Sequence, residues 1–389
     1  MNTAHLFSIS NIRVWWSTLD RWALIAIFLL SLCGILLVSA ASPAVATHIG
    51  LQPSHFILRH LAYLSGSLCL MLILSHCNQQ MLLSVGTIGL MLSLFLLICT
   101  LFIGMDIKGA RRWINIGGLS LQPSEFLKPC LILVTGWLFA RFLSHGRKGA
   151  LWINGGLLLL SLGLLLLQPD LGMSILLTSS WAVQLFLFGI SIGWILTIAA
   201  AGVLAMGGAY LFLPHVHARI NRFIGTDEVD RFGDGFQLSQ SLEAFTTGGL
   251  FGKGPGEGVI KRTLPDAHAD FIFAVSGEEF GLILSLFILC LFGYFLLRMV
   301  RHLFYTKNLF TLFAGTGLCV LFVFQAVINI ASTLSLIPTK GMTLPLISYG
   351  GSSLISTGIT LGFLFALTRR SSNEKQALQT DLAALSGGQ

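Results

Sequence analysis

Asp270 stands at a seam. Before it lies a polar, glycine-rich stretch, GGLFGKGPGEGVIKRTLPDAHAD (248–270), and after it an apolar run begins at Phe271. A carboxylate so placed is partly desolvated and close to a helix N-terminus, and these influences move its pKa in opposite directions. General-base chemistry is one use for such a group; capping the helix is the plain structural one. Cations gather in the same polar segments: Arg111, Arg112 and Lys128, then Lys253, Lys261 and Arg262, then Lys340. A basic surface at headgroup level suits an anionic ligand such as a lipid pyrophosphate, or ordinary anionic phospholipid. His268 reads as a hydrogen-bonding neighbour of Asp270 rather than a metal ligand.

Other polar groups invite a simpler account. In QPSEFLK, Pro123 suits the opening turn of a helix, Glu125 its positive end, and Glu125 with Lys128 the spacing for a pair on one face. Trp113 suits an interfacial aromatic belt. Asp170, in a Pro-Asp-x-Gly turn, has a structural explanation, with a supporting role in the site as the alternative. Gly248, Gly249, Gly252, Gly254, Gly256 and Gly258 permit either close approach of backbone to a ligand or a flexible loop. They form neither a Walker loop nor a dinucleotide fingerprint, because the hydroxyl after Lys253 and the βαβ context are missing. Glu278 and Glu279 fall inside an apolar span, roughly 12–13 Å along a regular helix from Asp270; ionisable residues at that depth are functional candidates or partners of a buried cation. Gln325 and Asn329, four apart, suit hydrogen bonding between helices. PTKGMTLPLISYGGSS (338–353) breaks an apolar region with prolines, glycines and hydroxyls and reads as a re-entrant loop facing the same site.

The elements that must position these groups are membrane spans. The 389 residues are 54% hydrophobic and only 10% charged, with mean hydropathy +0.83, where a soluble domain carries about a quarter charged residues. The fold class is therefore an all-α integral membrane protein. Apolar segments at 22–42, 57–75, 81–104, 126–143, 150–168, 173–190, 193–213, 271–297, 309–331 and 350–368 predict about ten transmembrane helices, with a large extracytoplasmic loop, 214–270, between helices 7 and 8. The first is read as a retained helix, although Ala44-Val45-Ala46 resembles a signal-peptidase site. Segments 1–21, 141–149, 298–308 and 369–389 hold most short-loop Lys and Arg, which predicts both termini on the cytoplasmic side. That divides the chain into a cytoplasmic segment 1–21, a polytopic domain 22–370 and a polar tail 371–389. The seven cysteines lack motif spacing and read as small buried hydrophobes. A net charge of +7 without a basic-aromatic pattern gives no support for nucleic-acid binding.

In order along the chain, KGARRWI, QPSEFLK, QPDLG, GKGPGEG, LPDAHADFIF, GEEFG and KGMTLPLISYGGSS resemble the motifs of the SEDS family of bacterial cell-wall polymerases. The resemblance runs from the first span to about Arg370, and KGMTLPLISYGGSS is more similar to the division-type branch than to the elongation-type branch. It implies ten transmembrane helices and peptidoglycan glycosyltransferase activity on lipid II, a disaccharide-pentapeptide on undecaprenyl pyrophosphate, at the outer face of the bacterial inner membrane and at the septum. It also implies a class B penicillin-binding protein as transpeptidase partner, alongside other division proteins. The family's essential aspartate, in its PEAHTDF motif, falls on Asp270; Asp266 stands for the usual Glu and Ala269 for the usual Thr. The candidate substrate-binding set is then Arg111, Arg112, Trp113, Glu125, Lys128, Lys253, Glu257, Lys261, His268, Lys340, Ser348, Tyr349 and Ser352. A divalent cation, Mg2+ or Mn2+, is a candidate cofactor, and no organic cofactor is expected. A lipid II transporter, kept open by Glu278, and a non-catalytic scaffold are the alternatives.

Overall fold

The computed structural model describes residues 15–107, 110–117, 119–212, 217, 234–338 and 341–369. Helices occupy all ten predicted apolar segments: α1 (Arg21–His48), α2 (His55–Ser75), α3 (Gln79–Ile103), α4 (Pro123–His145), α5 (Lys148–Leu167), α6 (Leu171–Leu187), α7 (Ile192–Phe212), α9 (Ile272–Phe304), α10 (Leu309–Thr333) and α11 (Gly351–Thr368). Among the described residues, eight of these are long and apolar enough to cross a membrane, and α6 is a shorter apolar helix. Large apolar side chains such as Phe28, Phe95 and Phe102 point outward, as a lipid-facing surface requires. The chain is a multi-pass membrane protein.

Close packing rests on small residues. A Cβ on Gly136 of α4 would lie 2.6 Å from the Ala314 backbone of α10, and one on Gly358 of α11 would lie 2.4 Å from the Ser67 carbonyl of α2. Small residues let spanning helices approach in this way, since lipid supplies no hydrophobic drive between them. Short caps fix the helix starts: Asp20 caps α1, Asn78 caps α3, Asp170 caps α6 and Asn308 caps α10 through side-chain oxygens. Pro123 opens α4, as its fixed φ predicts.

Two predicted loops contain structure. The segment after α3, read as a plain loop, forms a three-stranded antiparallel sheet of β1 (Met105–Ile107), β2 (Ala110–Ile116) and β3 (Leu119–Leu121). Asp106 pairs with Arg111 and Asn115 with Ser120. Successive side chains of a strand point to opposite faces, so Arg112 and Ile114 turn toward the bundle while Arg111 and Asn115 remain exposed. The second is the glycine-rich region, which is preceded by α8 (Asp234–Gly248).

The eighth predicted span also differs from a regular helix. Helix α9 is broken at Gly281, where φ is 73° and ψ −168°. A Cβ there would be 2.4 Å from the Leu250 carbonyl, so sterics and backbone conformation both demand glycine.

The bundle has two distinct ends. One gathers Asp20, His76, Arg298, His302 and Arg369: Asp20 accepts hydrogen bonds from Arg298 Nε at 2.6 Å and from His302, and Arg369 donates to the His76 carbonyl. Burial opposes the Asp20 charge, but these donors and the Ala23 N–H overcome it and hold the carboxyl well below the usual range. The described parts of the predicted basic segments thus share an end. The opposite end carries Asp270.

Candidate active site

Asp270 does not sit in the first turn of its helix. The N-cap of α9 is Phe271, with no side-chain cap bond, and Asp270 precedes it in a turn in which the Asp266 carbonyl accepts the amides of Ala269 at 2.9 Å and Asp270 at 3.0 Å. Asp266 has φ 52°, a region that short carboxylates tolerate better than most side chains, so an aspartate is locally well suited there. Asp270 is half-buried. Asn329 Nδ2 fixes its backbone, donating to the Asp270 carbonyl at 2.8 Å and to the Met342 carbonyl at 2.6 Å. One α10 side chain thereby ties the start of α9 to the non-helical segment before α11. A Cβ on Gly341 would lie 3.6 Å from Asp270 Oδ2, so that segment runs directly past the carboxylate.

The segment 341–350 is buried non-helical backbone, as predicted for a re-entrant loop, and its polar groups are satisfied internally. Ser348 Oγ accepts the Leu344 N–H at 2.8 Å, and the Tyr349 N–H reaches the His268 carbonyl at 3.0 Å. Leu346, fully buried, holds φ 65°, a conformation costing a non-glycine residue about 1–2 kcal/mol. The loop keeps it because α1 closes over it: a Cβ on Gly34 would lie 2.5 Å from the Leu346 carbonyl.

The His268, Tyr349 and Phe56 rings form one aromatic cluster, with centroids 4.4–5.3 Å apart. Burial pushes the His268 imidazole below its ordinary pKa against the pull of the Asp266 charge, so it is neutral at pH 7. Burial raises the Tyr349 phenol, although Arg59, which hydrogen-bonds it, pulls the other way. Phe56 and Arg59 open α2 and carry no motif, which is why the sequence reading passes over them. His60, one turn deeper, is fully buried with neither ring nitrogen bonded among the described residues.

Beneath the loop runs a buried polar network. Glu125 and Lys128 pair at 2.8 Å, as their spacing predicts, and Lys128 Nζ donates to Gln325 Oε1 at 2.8 Å. Gln325 Nε2 continues to the Thr343 carbonyl at 3.1 Å, and Thr343 and Ser353 share a hydrogen bond. Ser356 donates to the Glu125 carbonyl, and Ser352 accepts the Gln122 N–H at 3.0 Å. Gln325 thus bonds between helices, as expected, whereas Asn329 bonds to non-helical backbone. Thr343 and Ser353 have no signal in the sequence beyond belonging to the loop.

Of the cations proposed for an anionic ligand, three are committed elsewhere. Arg112 donates from Nε to the Gln168 carbonyl at 3.1 Å and from Nη2 to that of Pro169, with Asp170 at 3.8 Å; it buttresses the turn into α6, and Asp170 caps that helix. Lys128 is 2% exposed inside its network. Lys261 is 4% exposed, paired with Glu279 and donating to the Ala40 carbonyl at 3.0 Å. Arg111, beside Asp106 at 3.8 Å, Lys253 and Glu257 are exposed, and Trp113 is half-buried. Lys340 lies outside the described residues.

The two deep glutamates are structural. Glu278 Oε1 accepts the amides of Val259 at 2.6 Å and Ile260 at 2.8 Å, and its Oε2 that of Lys261 at 3.1 Å. Glu279 takes the Gly256 amide at 3.0 Å together with Lys261 Nζ. The glycine loop also joins the broken helix backbone to backbone: Lys253 N–H to Glu278 O at 2.9 Å, Gly254 N–H to Glu279 O and Leu282 N–H to Gly249 O, each at 3.0 Å. Its glycines serve this approach. A Cβ on Gly248 would lie 1.9 Å from the Gly277 carbonyl and one on Gly252 2.2 Å from that of Glu279. The close approach is to protein backbone; of the two uses expected for the deep acids, pairing with a buried cation is the one seen, between Glu279 and Lys261, and Glu278 completes a bracket between the glycine loop and α9. Among the described residues no three His, Cys, Asp or Glu side chains converge as a metal site.

Comparison with known proteins places the chain in a family. Residues 21–373 match the model of the FtsW/RodA/SpoVE family, described as cell cycle protein. Probable peptidoglycan glycosyltransferase FtsW of Caulobacter vibrioides is 40% identical over 377 residues, 95% of each chain; that of Coxiella burnetii is 35% identical, covering 91% of this chain and 97% of its own. Among solved structures, a chain of a peptidoglycan synthase complex that coordinates polymerization and crosslinking is 26% identical, with TM-score 0.75, covering 90% of this chain and 97% of that one. Rod shape determining protein RodA of Thermus thermophilus is 27% identical, with TM-score 0.64 over 91% of this chain and 98% of that one. The chain belongs to the FtsW/RodA/SpoVE family of cell cycle proteins.

Proposed function

We propose that the chain is a peptidoglycan glycosyltransferase that polymerises lipid II for septal wall synthesis, with the Asp270 end of the bundle facing outward and both termini in the cytoplasm. The observation that carries the reading is the convergence on Asp270 of a bracketed α9 start, the re-entrant loop and the His268–Tyr349 cluster, in a family whose relatives bear that activity in their names. Asp270 acts as general base on the 4-hydroxyl of the acceptor GlcNAc. The freed oxygen attacks C1 of the donor MurNAc, the bond from C1 to the pyrophosphate oxygen breaks, and undecaprenyl pyrophosphate leaves with the bonding pair while the proton stays on Asp270. Arg111, Lys253 and Lys340 are the cations assigned to the pyrophosphate; Lys128 and Lys261 act through the backbone they position. A divalent cation would arrive with the pyrophosphate rather than fill a cage of protein ligands, and no step here runs through it.

The transporter alternative rested on Glu278, which is consumed by three amides. A class B penicillin-binding protein is the proposed partner, supported by the likeness to a synthase complex. Purified protein supplied with labelled lipid II, with and without that partner, tests the reading: glycan strands are expected, and translocation of lipid II without any polymer would replace it.

A further inference from the structure

At the end of the bundle opposite Asp270, a cavity of about 580 Å³ opens between the C-terminus of α4 and the loop joining α9 to α10. Its size falls within the roughly 300–1,000 Å³ of small-molecule sites. Three cations line it, Arg141, Arg147 and Lys307, with His145 beside them, and no carboxylate does. None of the three cations has an acidic partner among the described residues; Arg141 instead stacks over Trp137, 4.8 Å from the ring centroid. Like charges around one cavity repel, and the N-terminus of α10, at Asn308, adds the positive end of a helix dipole. The other basic cluster at this end is built differently, for Arg298 is paired with Asp20, which His302 also contacts. The bare cluster therefore has room for an anion where the other already holds one. Beside Ser144 and Asn308, the remaining wall has an apolar part formed by Trp137, Leu309 and Phe310 on helices long enough to span the membrane. An apolar wall under a cationic rim at the bilayer surface matches an amphiphile, a phosphodiester headgroup with its chains in the lipid.

We infer that this cavity binds the headgroup of an anionic phospholipid in the leaflet remote from Asp270. The site is independent of the glycosyltransferase reading, and its test needs no turnover. Full-length protein in detergent is titrated with phosphatidylglycerol and with phosphatidylcholine and followed by native mass spectrometry. The wild type retains phosphatidylglycerol preferentially. Arg141→Gln, Arg147→Gln and Lys307→Gln combined weaken that retention on the order of 100-fold, since each Lys or Arg near an anionic surface contributes about fivefold. A control variant, Arg21→Gln, Lys148→Gln and Arg301→Gln, removes as many charges from the same end outside the cavity and keeps the preference. Equal retention of the two lipids by the wild type, unchanged retention by the cavity variant or equal loss in the control overturns the site. Displacement of the lipid by inorganic phosphate alone would overturn the lipid assignment in favour of a free anion.

Discussion

Asp270 and the Glu278–Glu279 pair lie eight and nine residues apart, and sequence treats them alike, as acids at or below a membrane surface. The structure separates them. Glu278 and Glu279 are 0% and 1% exposed, and each carboxylate takes its hydrogen bonds from the glycine loop folded back over the helix. Asp270 is half-buried beside a loop that carries its own internal bonds. A buried carboxylate whose oxygens are filled by amides and an ammonium is fixed in charge and place. It is scaffold. Asp270 is instead tied through its backbone to Asn329 and the Asp266 turn, with the re-entrant loop running past its carboxylate. Depth alone, which marked the glutamates as functional candidates, is the weaker guide: their oxygens are filled by loop amides and an ammonium.

The largest way to sharpen this contrast is Asp270→Asn, for which polymerisation falls by about 10²–10⁴-fold, the range of a general base, while the thermal midpoint in detergent is unchanged. Next is Glu278→Ala. It strands the buried N–H groups of Ile260 and Lys261 and the part-buried one of Val259; each buried one costs about 1–3 kcal/mol, so the expected loss is at least about 2 kcal/mol, read as a lower midpoint and faster proteolysis within 249–262. A stable Glu278→Ala protein that is merely inactive would break the comparison. Lys261→Met alone leaves a buried Glu279 charge and costs on the order of 3–5 kcal/mol, whereas Lys261→Met with Glu279→Leu costs far less than the summed single variants; a double-mutant cycle on thermal midpoints measures the coupling. The smallest effect is Arg111→Ala. Its pairing with Asp106 is exposed and worth no more than about 1 kcal/mol, so stability holds while the KM for lipid II rises if Arg111 meets the pyrophosphate.

The helices were legible because spanning segments announce themselves by length and apolarity alone. Helix α8 was not, since DGFQLSQSLEAFTTG carries too little apolar weight to stand out from the polar loop around it. In ARRWINI the alternation that makes Arg112 an inward residue and Arg111 an outward one is present, but its two arginines together with Lys108 mask it as a charged loop. The Glu125–Lys128 pair and the Asp170 cap were readable, being set by local spacing. The role of Lys261 was hidden, because its partners, Glu279 and the Ala40 carbonyl, come from sequence-distant elements. The break at Gly281 was equally silent: only the Leu250 carbonyl pressed against it shows why a side chain there is forbidden.

The central claim, that the bracket holds and Asp270 reacts, is tested most directly by single-turnover transfer with labelled lipid II on wild-type and Asp270→Asn proteins of matched thermal midpoint. Strands from the wild type and none above background from Asp270→Asn are predicted. Comparable strands from both would contradict it.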